Sequence, residues 1–218
     1  MIKKKIVLIG ASGFVGSALL KEAIIRGHPV KAVVRNPENI RIKDPNLIIV
    51  KGDASSVEFV SKTCYGSDTV ISAYNPGWGN PDIAFEILRV YPAILEGVKK
   101  SGVRRFLVAG GAGSLFISKG VRLMDTGAIP GKVLPAVRSL ASFYLDILTR
   151  ETEVDWVFFS PAGSFIKGKR TGKYRLGKDD LIKDMEGNSH ISVEDYAVAM
   201  LDEAERPMHH FERFTIGY

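Results

Sequence analysis

Residues 10–16 read Gly-Ala-Ser-Gly-Phe-Val-Gly and follow a short apolar run, Ile6 to Ile9. Beyond them Val15, Leu19 and Ala23 fall four apart, with Ala18 and Ile25 on the same side. This is the pattern of a buried strand, a glycine turn and an amphipathic helix. Glycine lets the backbone turn tightly and approach a pyrophosphate, and the helix start offers free N–H groups at a positive dipole end. A glycine triplet alone is a weak sign. Placed between a strand and a helix it predicts that a dinucleotide sits here.

Five further apolar runs follow: Val30–Val34, Leu47–Val50, Thr69–Ser72, Phe106–Ala109 and Trp156–Phe159. They are continuous rather than alternating, as expected of strands covered on both faces. Helical patterns fill several gaps. The clearest spans 81–100, with Asn80 as N-cap, Pro81 at the first position and Gly102 as the stop. Its apolar face is expected from Ala84, Leu88, Tyr91, Leu95 and Val98, and Pro92 is expected to kink or strain it. A second helix, 136–151, carries Leu140, Tyr144, Ile147 and Leu148.

Alternating strands and helices predict an α/β fold, a doubly wound parallel sheet with ligands at the carboxyl ends of its strands. Residues 1–218 are expected to form a single domain. Residues 163–192 and 206–218 are expected to form a small C-terminal appendage on the substrate side. Ser192-Val193-Glu194-Asp195 reads as a capping box opening a helix to Glu205, and Phe214–Ile216 as a last strand.

Whole-chain properties narrow the function classes. The 218 residues are 45% hydrophobic and 25% charged, those of a globular protein. A lone Cys64 excludes an internal disulfide and a cysteine-based zinc site, and four histidines show no metal spacing, so no metal is expected. No run approaches the roughly 20 apolar residues of a membrane span, and a cytoplasmic location is expected, with no membrane partner. The net charge of +6 invites a nucleic-acid reading. Acids and bases alternate over most of the chain, however, and the dense basic stretch Lys167–Lys178 reads as a solvated hairpin, so no nucleic-acid partner is expected. Asp179-Asp180 and Asp202-Glu203 read as solvated faces, and His209-His210 as a surface stretch. Segment 117–138 reads as a long connection and a candidate lid.

The choice of nucleotide turns on the end of the second strand, Val33-Val34-Arg35-Asn36. A site for NAD(H) places an acid about 20 residues beyond the glycines. Here an arginine stands instead, and it attracts a 2′-phosphate. Arg35 therefore argues for NADP(H), with NAD(H) as the alternative. Asp53 either accepts from the adenine amino group or caps the next helix.

Taken together, GASGFVG at 10–16, VVR at 33–35, GDA at 52–54, ISAYNPG at 71–77, RFLVAGGAGSL at 105–115, DWVFFSPA at 155–162 and ISVEDYA at 191–197 resemble an atypical branch of the short-chain dehydrogenase/reductases. That branch, with a Rossmann fold, includes NmrA-like proteins and the flavin (biliverdin B) reductases. It is related to the NAD-dependent epimerase/dehydratase family. The resemblance implies cofactor contacts at Gly10, Ser12, Gly13, Phe14, Val15, Gly16, Arg35, Asp53 and Ala54. Strand-end contacts are implied at Ser72, Ala73, Tyr74, Gly110, Gly111, Pro161 and Ala162.

One departure bears on mechanism. Typical members carry Tyr-x-x-x-Lys on the helix before the sixth strand, but here Tyr144 is followed four residues later by Leu148. The Tyr174–Lys178 pair lies beyond that strand and reads as coincidence. Without a placed acid, alcohol or ketone chemistry loses roughly 10²–10⁴-fold. Reducing a flavin or quinone is less demanding, because water can protonate the product. The expected activity is therefore NAD(P)H-dependent reduction of a small planar acceptor. Ser114 and Tyr144 are the candidate catalytic hydroxyls. Tyr74, Asn75, Trp78, Leu115 and Phe116 are expected on the substrate side, Trp78 either stacking on the acceptor or packing on the surface. The alternatives are an NADP(H)-sensing regulatory protein and a sugar-nucleotide epimerase or dehydratase. The sequence leaves the oligomeric state open.

Overall fold

The computed structural model describes residues 3–218. The first half runs β1 (Ile6–Ile9), α1 (Phe14–Ile25), β2 (Val30–Val34), β3 (Leu47–Lys51), α2 (Val57–Cys64), β4 (Thr69–Ser72), α3 (Ile83–Ser101) and β5 (Arg105–Ala109). Next come a short pair, β6 (Phe116–Ser118) and β7 (Val121–Arg122), then α4 (Leu134–Ser142) and β8 (Asp155–Ser160). The remainder is β9 (Ser164–Ile166), β10 (Arg175–Gly177), β11 (His190–Ser192), α5 (Val193–Glu205) and β12 (Glu212–Gly217).

Eight strands form the central sheet in the order β10-β12-β8-β5-β4-β1-β2-β3. All neighbours are parallel except β10, which runs antiparallel to β12. This is the doubly wound α/β fold, and its order reverses between β1 and β4. Leu19 and Leu20 of α1 and Ala197 and Leu201 of α5 fill one face. Val60 of α2, Tyr91 and Ile94 of α3 and Ala136 of α4 fill the other. Residues 206–218 complete the sheet through β12, whereas 163–192 hold the separate β9–β11 pair and the edge strand β10.

Several local expectations are corrected. β3 is an edge, not a strand covered on both faces: Ile48 is 59% exposed. α1 turns Ile25 to solvent and buries Leu20 beside Leu19. α3 starts two residues late, at Ile83, because the Asn80 side chain accepts from the Asp82 amide in a turn. Its buried face is Ile83, Ile87, Tyr91, Ile94 and Val98, and Leu88 is exposed. The helix runs through Pro92, whose ring removes the donor to the outward-facing turn of Leu88. Gly102 stops it in the left-handed conformation, φ 75°.

The helix expected over 136–151 is broken. α4 ends at Ser142, a wide π-turn covers Phe143–Ile147 and a 3₁₀ turn covers Leu148–Arg150. The extra residue shifts the register, so adjacent Phe143 and Tyr144 are both buried. The basic stretch 167–178 is not a hairpin. Arg170 pairs with the buried Glu22 of α1, and the Tyr174 hydroxyl donates to Asp202. Lys178 faces Glu212, so Tyr174 and Lys178 have separate partners. Glu203 is buried rather than solvated and pairs with Arg105. His209 and His210 bond Glu203 and Asp155.

Candidate functional site

The glycine corner is built by close backbone approach. Gly10 adopts φ 80°, and a Cβ there would meet the Ala73 carbonyl oxygen at 2.5 Å. A Cβ at Gly16 would meet the Gly10 carbonyl oxygen at 2.0 Å. Both neighbours are main chain and cannot swing aside. Gly13 then enters α1 with no side-chain cap, and the first turn carries no acid. The Gly13 amide donates to Gly10 and the Ser17 amide to Gly13, but Phe14, Val15 and Gly16 have no amide acceptor among the described residues. Unpaired amides at a positive dipole end suit a diphosphate. The residues present therefore fit a dinucleotide.

The strand ends converge on this corner, since Ile9 is in register with Ser72 and Ala109 with Phe159. Ser12, Gly13 and Phe14 are exposed on the rim, and Phe14 meets Phe165 edge-on at 5.5 Å. Ser72, Ala73, Pro161 and Ala162 are buried and form a floor. Gly110 lies over Phe158, where a Cβ would clash at 2.4 Å, and Gly111 lies against Leu140 of α4.

Arg35 is exposed beside the loop after β4, its guanidinium 3.4 Å from the Pro76 carbonyl. Among the described residues no ion pair ties it down. Asp53 does not cap α2; Ser56 does, accepting from the Phe59 amide. The Ser55 amide and hydroxyl hold the Asp53 carboxyl below its usual range, and Arg89 and Arg35 add to that. Burial pushes the Tyr74 hydroxyl up to about 12, Glu86 adds to this, and Arg35 and Arg89 oppose it. Tyr74 thus shares its surroundings with Arg35, Arg89 and Asp53. Arg89, on α3, joins this group and was missed in the sequence because it sits mid-helix, where arginine is ordinary.

The substrate-side residues separate. Asn75 is exposed and its side chain accepts from the Gly77 amide. Trp78 is 59% exposed. Leu115 is wholly buried and belongs to the core. Phe116 is stitched to the appendage: its amide donates to Asp179 and its carbonyl accepts from Leu181. The candidate lid folds as the β6–β7 pair followed by a turn at Leu123–Asp125. Ser114 is buried, and its oxygen accepts from Arg213 at 2.8 Å. Tyr144 stacks on Phe158 at 4.6 Å, with the Arg213 guanidinium 4.8 Å from its ring centre. Arg213, which the sequence did not single out, thus bonds the Ser114 hydroxyl and lies over the Tyr144 ring. A concavity of about 400 Å³, lined by Ile166, Lys169, Lys173, His190, Ser192 and Tyr218 among others, touches none of the predicted cofactor residues.

The fold and the open corner define a nucleotide-binding α/β protein of the Rossmann class. A family model described as NAD(P)H-binding matches residues 10–204. The uncharacterised protein YwnB of Bacillus subtilis is 41% identical over 215 residues, 97% of each chain. A solved structure of a proposed epimerase from Bacteroides thetaiotaomicron is 60% identical, covers 100% of this chain and 98% of that one, and superposes with a TM-score of 0.94. A proposed NADH-flavin reductase from Streptococcus pneumoniae is 34% identical over 98% of this chain and 99% of its own, with a TM-score of 0.83. This chain belongs to the NAD(P)H-binding family. Among the described residues no helix is long and apolar enough to cross a membrane, and no cluster of potential metal ligands occurs.

Proposed function

We propose that this protein is an NADP(H)-dependent reductase of a flat acceptor, a flavin or quinone. The observation that carries the reading is the uncapped start of α1, closed from behind by Gly16 and flanked by Arg35. The amides of Phe14, Val15 and Gly16 hold the diphosphate, and Arg35 holds the 2′-phosphate. Asp53 and Tyr74 border the adenosine. When bound, the reduced nicotinamide supplies the hydride. An acceptor lying flat on the nicotinamide would react largely through proximity. Tyr144 has no lysine one turn away, so the product takes its proton from water. Similarity to the proposed NADH-flavin reductase supports this acceptor class. Similarity to the proposed epimerase favours a second reading, sugar-nucleotide chemistry, which requires an acid that the buried Ser114 does not supply.

Titration with NADPH and NADH tests the nucleotide. Wild type should prefer NADPH by about tenfold or more, the value of a charge-assisted contact, and Arg35→Asp should reverse the preference. A variant that keeps preferring NADPH removes Arg35 as the phosphate ligand. Steady NADPH consumption with flavin mononucleotide or a quinone tests the chemistry. Tight binding without turnover would replace the reductase by an NADP(H) sensor.

A further inference from the structure

Away from the nucleotide corner, segment 167–178 carries six cations, and they divide into two sets. Arg170 is bonded to Glu22, Arg175 to the main-chain oxygens of Lys183 and Tyr218, and Lys178 to Glu212. The side chains of Lys167, Lys169 and Lys173 have no hydrogen-bond or ion-pair partner among the described residues. All three line the concavity of about 400 Å³ to which β9 and β11 contribute, and its lining contains no aspartate or glutamate. Acids on the adjoining elements are committed elsewhere. Glu194 takes the Gly168 amide, and Asp195 takes the Thr171 and Gly172 amides and the Tyr218 hydroxyl. Asp184 takes the Glu186 and Asn188 amides and lies 3.8 Å from His190. The three lysines therefore leave the concavity positive.

The backbone that carries these lysines is fixed from the start of α5. Glu194 holds Gly168, the Ser192 hydroxyl donates to the Lys169 carbonyl at 2.9 Å, and Asp195 holds Thr171 and Gly172. A fixed backbone lowers the entropy cost of gathering the side chains on one ligand.

Apolar surface lies beside the charge. Strand alternation turns Phe165 of β9 onto Phe14 and Tyr196 and turns Ile166 the other way. Ile166 is 55% exposed. It lines the concavity with Tyr218, whose ring centre lies 5.2 Å from that of His190.

We infer that this concavity binds a small organic phosphate monoester, its apolar body against Ile166 and Tyr218 and its phosphate among Lys167, Lys169 and Lys173. The volume of about 400 Å³ is that of a small-molecule site. Lysine is a compact point charge that suits a doubly charged phosphate, and the lining holds no arginine fork to select a planar carboxylate. None of the predicted cofactor residues takes part, so the inference does not rest on the proposed function.

Calorimetric titration of the full chain with naphthyl phosphate tests the site. The ester should bind saturably, and equally well in the presence of saturating NADP+. Naphthol, which lacks the charge, and inorganic phosphate, which lacks the ring, should each bind at least about tenfold more weakly. Lys169 and Lys173 are exposed, so replacing them spares the fold. The double variant Lys169→Gln, Lys173→Gln should weaken the ester about tenfold and leave NADPH affinity unchanged. Lys62→Gln, at an exposed lysine of α2, should leave the ester's affinity unchanged. Displacement of the ester by NADP+ overturns the proposal, because it places the ester in the nucleotide corner. Equal binding of naphthol or inorganic phosphate also overturns it, as does an absence of saturable heat. So does a double variant that binds like wild type, or a Lys62→Gln control that loses as much. Sedimentation with anionic phospholipid vesicles in place of ester binding would assign the lysines to a lipid surface and overturn it too.

Discussion

At α1 the chain enters through Gly13, with no capping side chain, no acid in the first turn and three amides without acceptors. At α5 it enters through Ser192, whose oxygen accepts from the Asp195 amide, and Glu194 and Asp195 fill the first turn. Asp195 goes further. Its carboxylate takes the Thr171 amide and hydroxyl, the Gly172 amide and the Tyr218 hydroxyl. Both helix starts favour negative charge. α5 receives it from its own side chains and thereby holds the 167–178 segment in place. α1 has none of its own, and the proposed function has a ligand supply it. One physical effect serves structure at one helix start and, in the proposed function, recognition at the other.

Gly16→Ala should break the contrast most completely. The added Cβ has only backbone to meet, so the corner must open. Dinucleotide affinity should fall about 100-fold, some 3 kcal/mol, in a fluorescence titration. Undiminished affinity would mean that the corner does not carry the nucleotide. Asp195→Asn should cost about 2–4 kcal/mol in urea denaturation, since buried donors lose a charged acceptor. It should leave nucleotide affinity unchanged, because the charge it removes belongs to the structural end. Equal stability would show that the 171–172 loop is held by other contacts.

Acid sharpens the same point. Burial works against the Asp195 carboxylate, but hydrogen bonds from Thr171, Tyr218 and the Gly172 amide outweigh it and hold its carboxyl below the usual range. A carboxyl lowered in the folded state contributes stability that is complete above its unfolded pKa, about 4. It is lost as pH falls through the folded value. Urea midpoints should therefore drop more steeply below about pH 5, down through the lowered folded value, in wild type than in Asp195→Asn. Parallel slopes would exclude Asp195 as a source of acid sensitivity. The smallest effect belongs to Ser192→Ala, about 1 kcal/mol for a lost cap. Thermal melts should register it, and a neutral result would assign the cap to Glu194 and Asp195 alone.

The glycine corner, the parallel strands and the α5 cap were legible because each is local. Apolar runs, a glycine triplet and a Ser-x-x-Asp spacing lie within a few neighbouring residues. What escaped is long-range or a matter of register. Nothing in Phe143–Ile147, which lacks glycine and proline, announces the π-turn that buries Tyr144 beside Phe143. Arg213 meets Ser114 across 99 residues, and Arg170 meets Glu22 across 148, so neither pairing leaves a local pattern. Asp195 read as a first-turn acid because its loop partners lie 23 and 24 residues upstream. The surroundings of Ser114 and Tyr144 escaped for the same reason: the guanidinium that bonds the Ser114 oxygen and lies over the Tyr144 ring comes from the last strand.

The central claim is that the main-chain amides at the start of α1 bind a nucleotide diphosphate. Titrating wild type, Gly16→Ala and Asp195→Asn with NADPH under one set of conditions tests it most directly. The account predicts saturable binding by wild type and Asp195→Asn and its loss in Gly16→Ala. No measurable affinity of wild type for either pyridine nucleotide, reduced or oxidised, would contradict it.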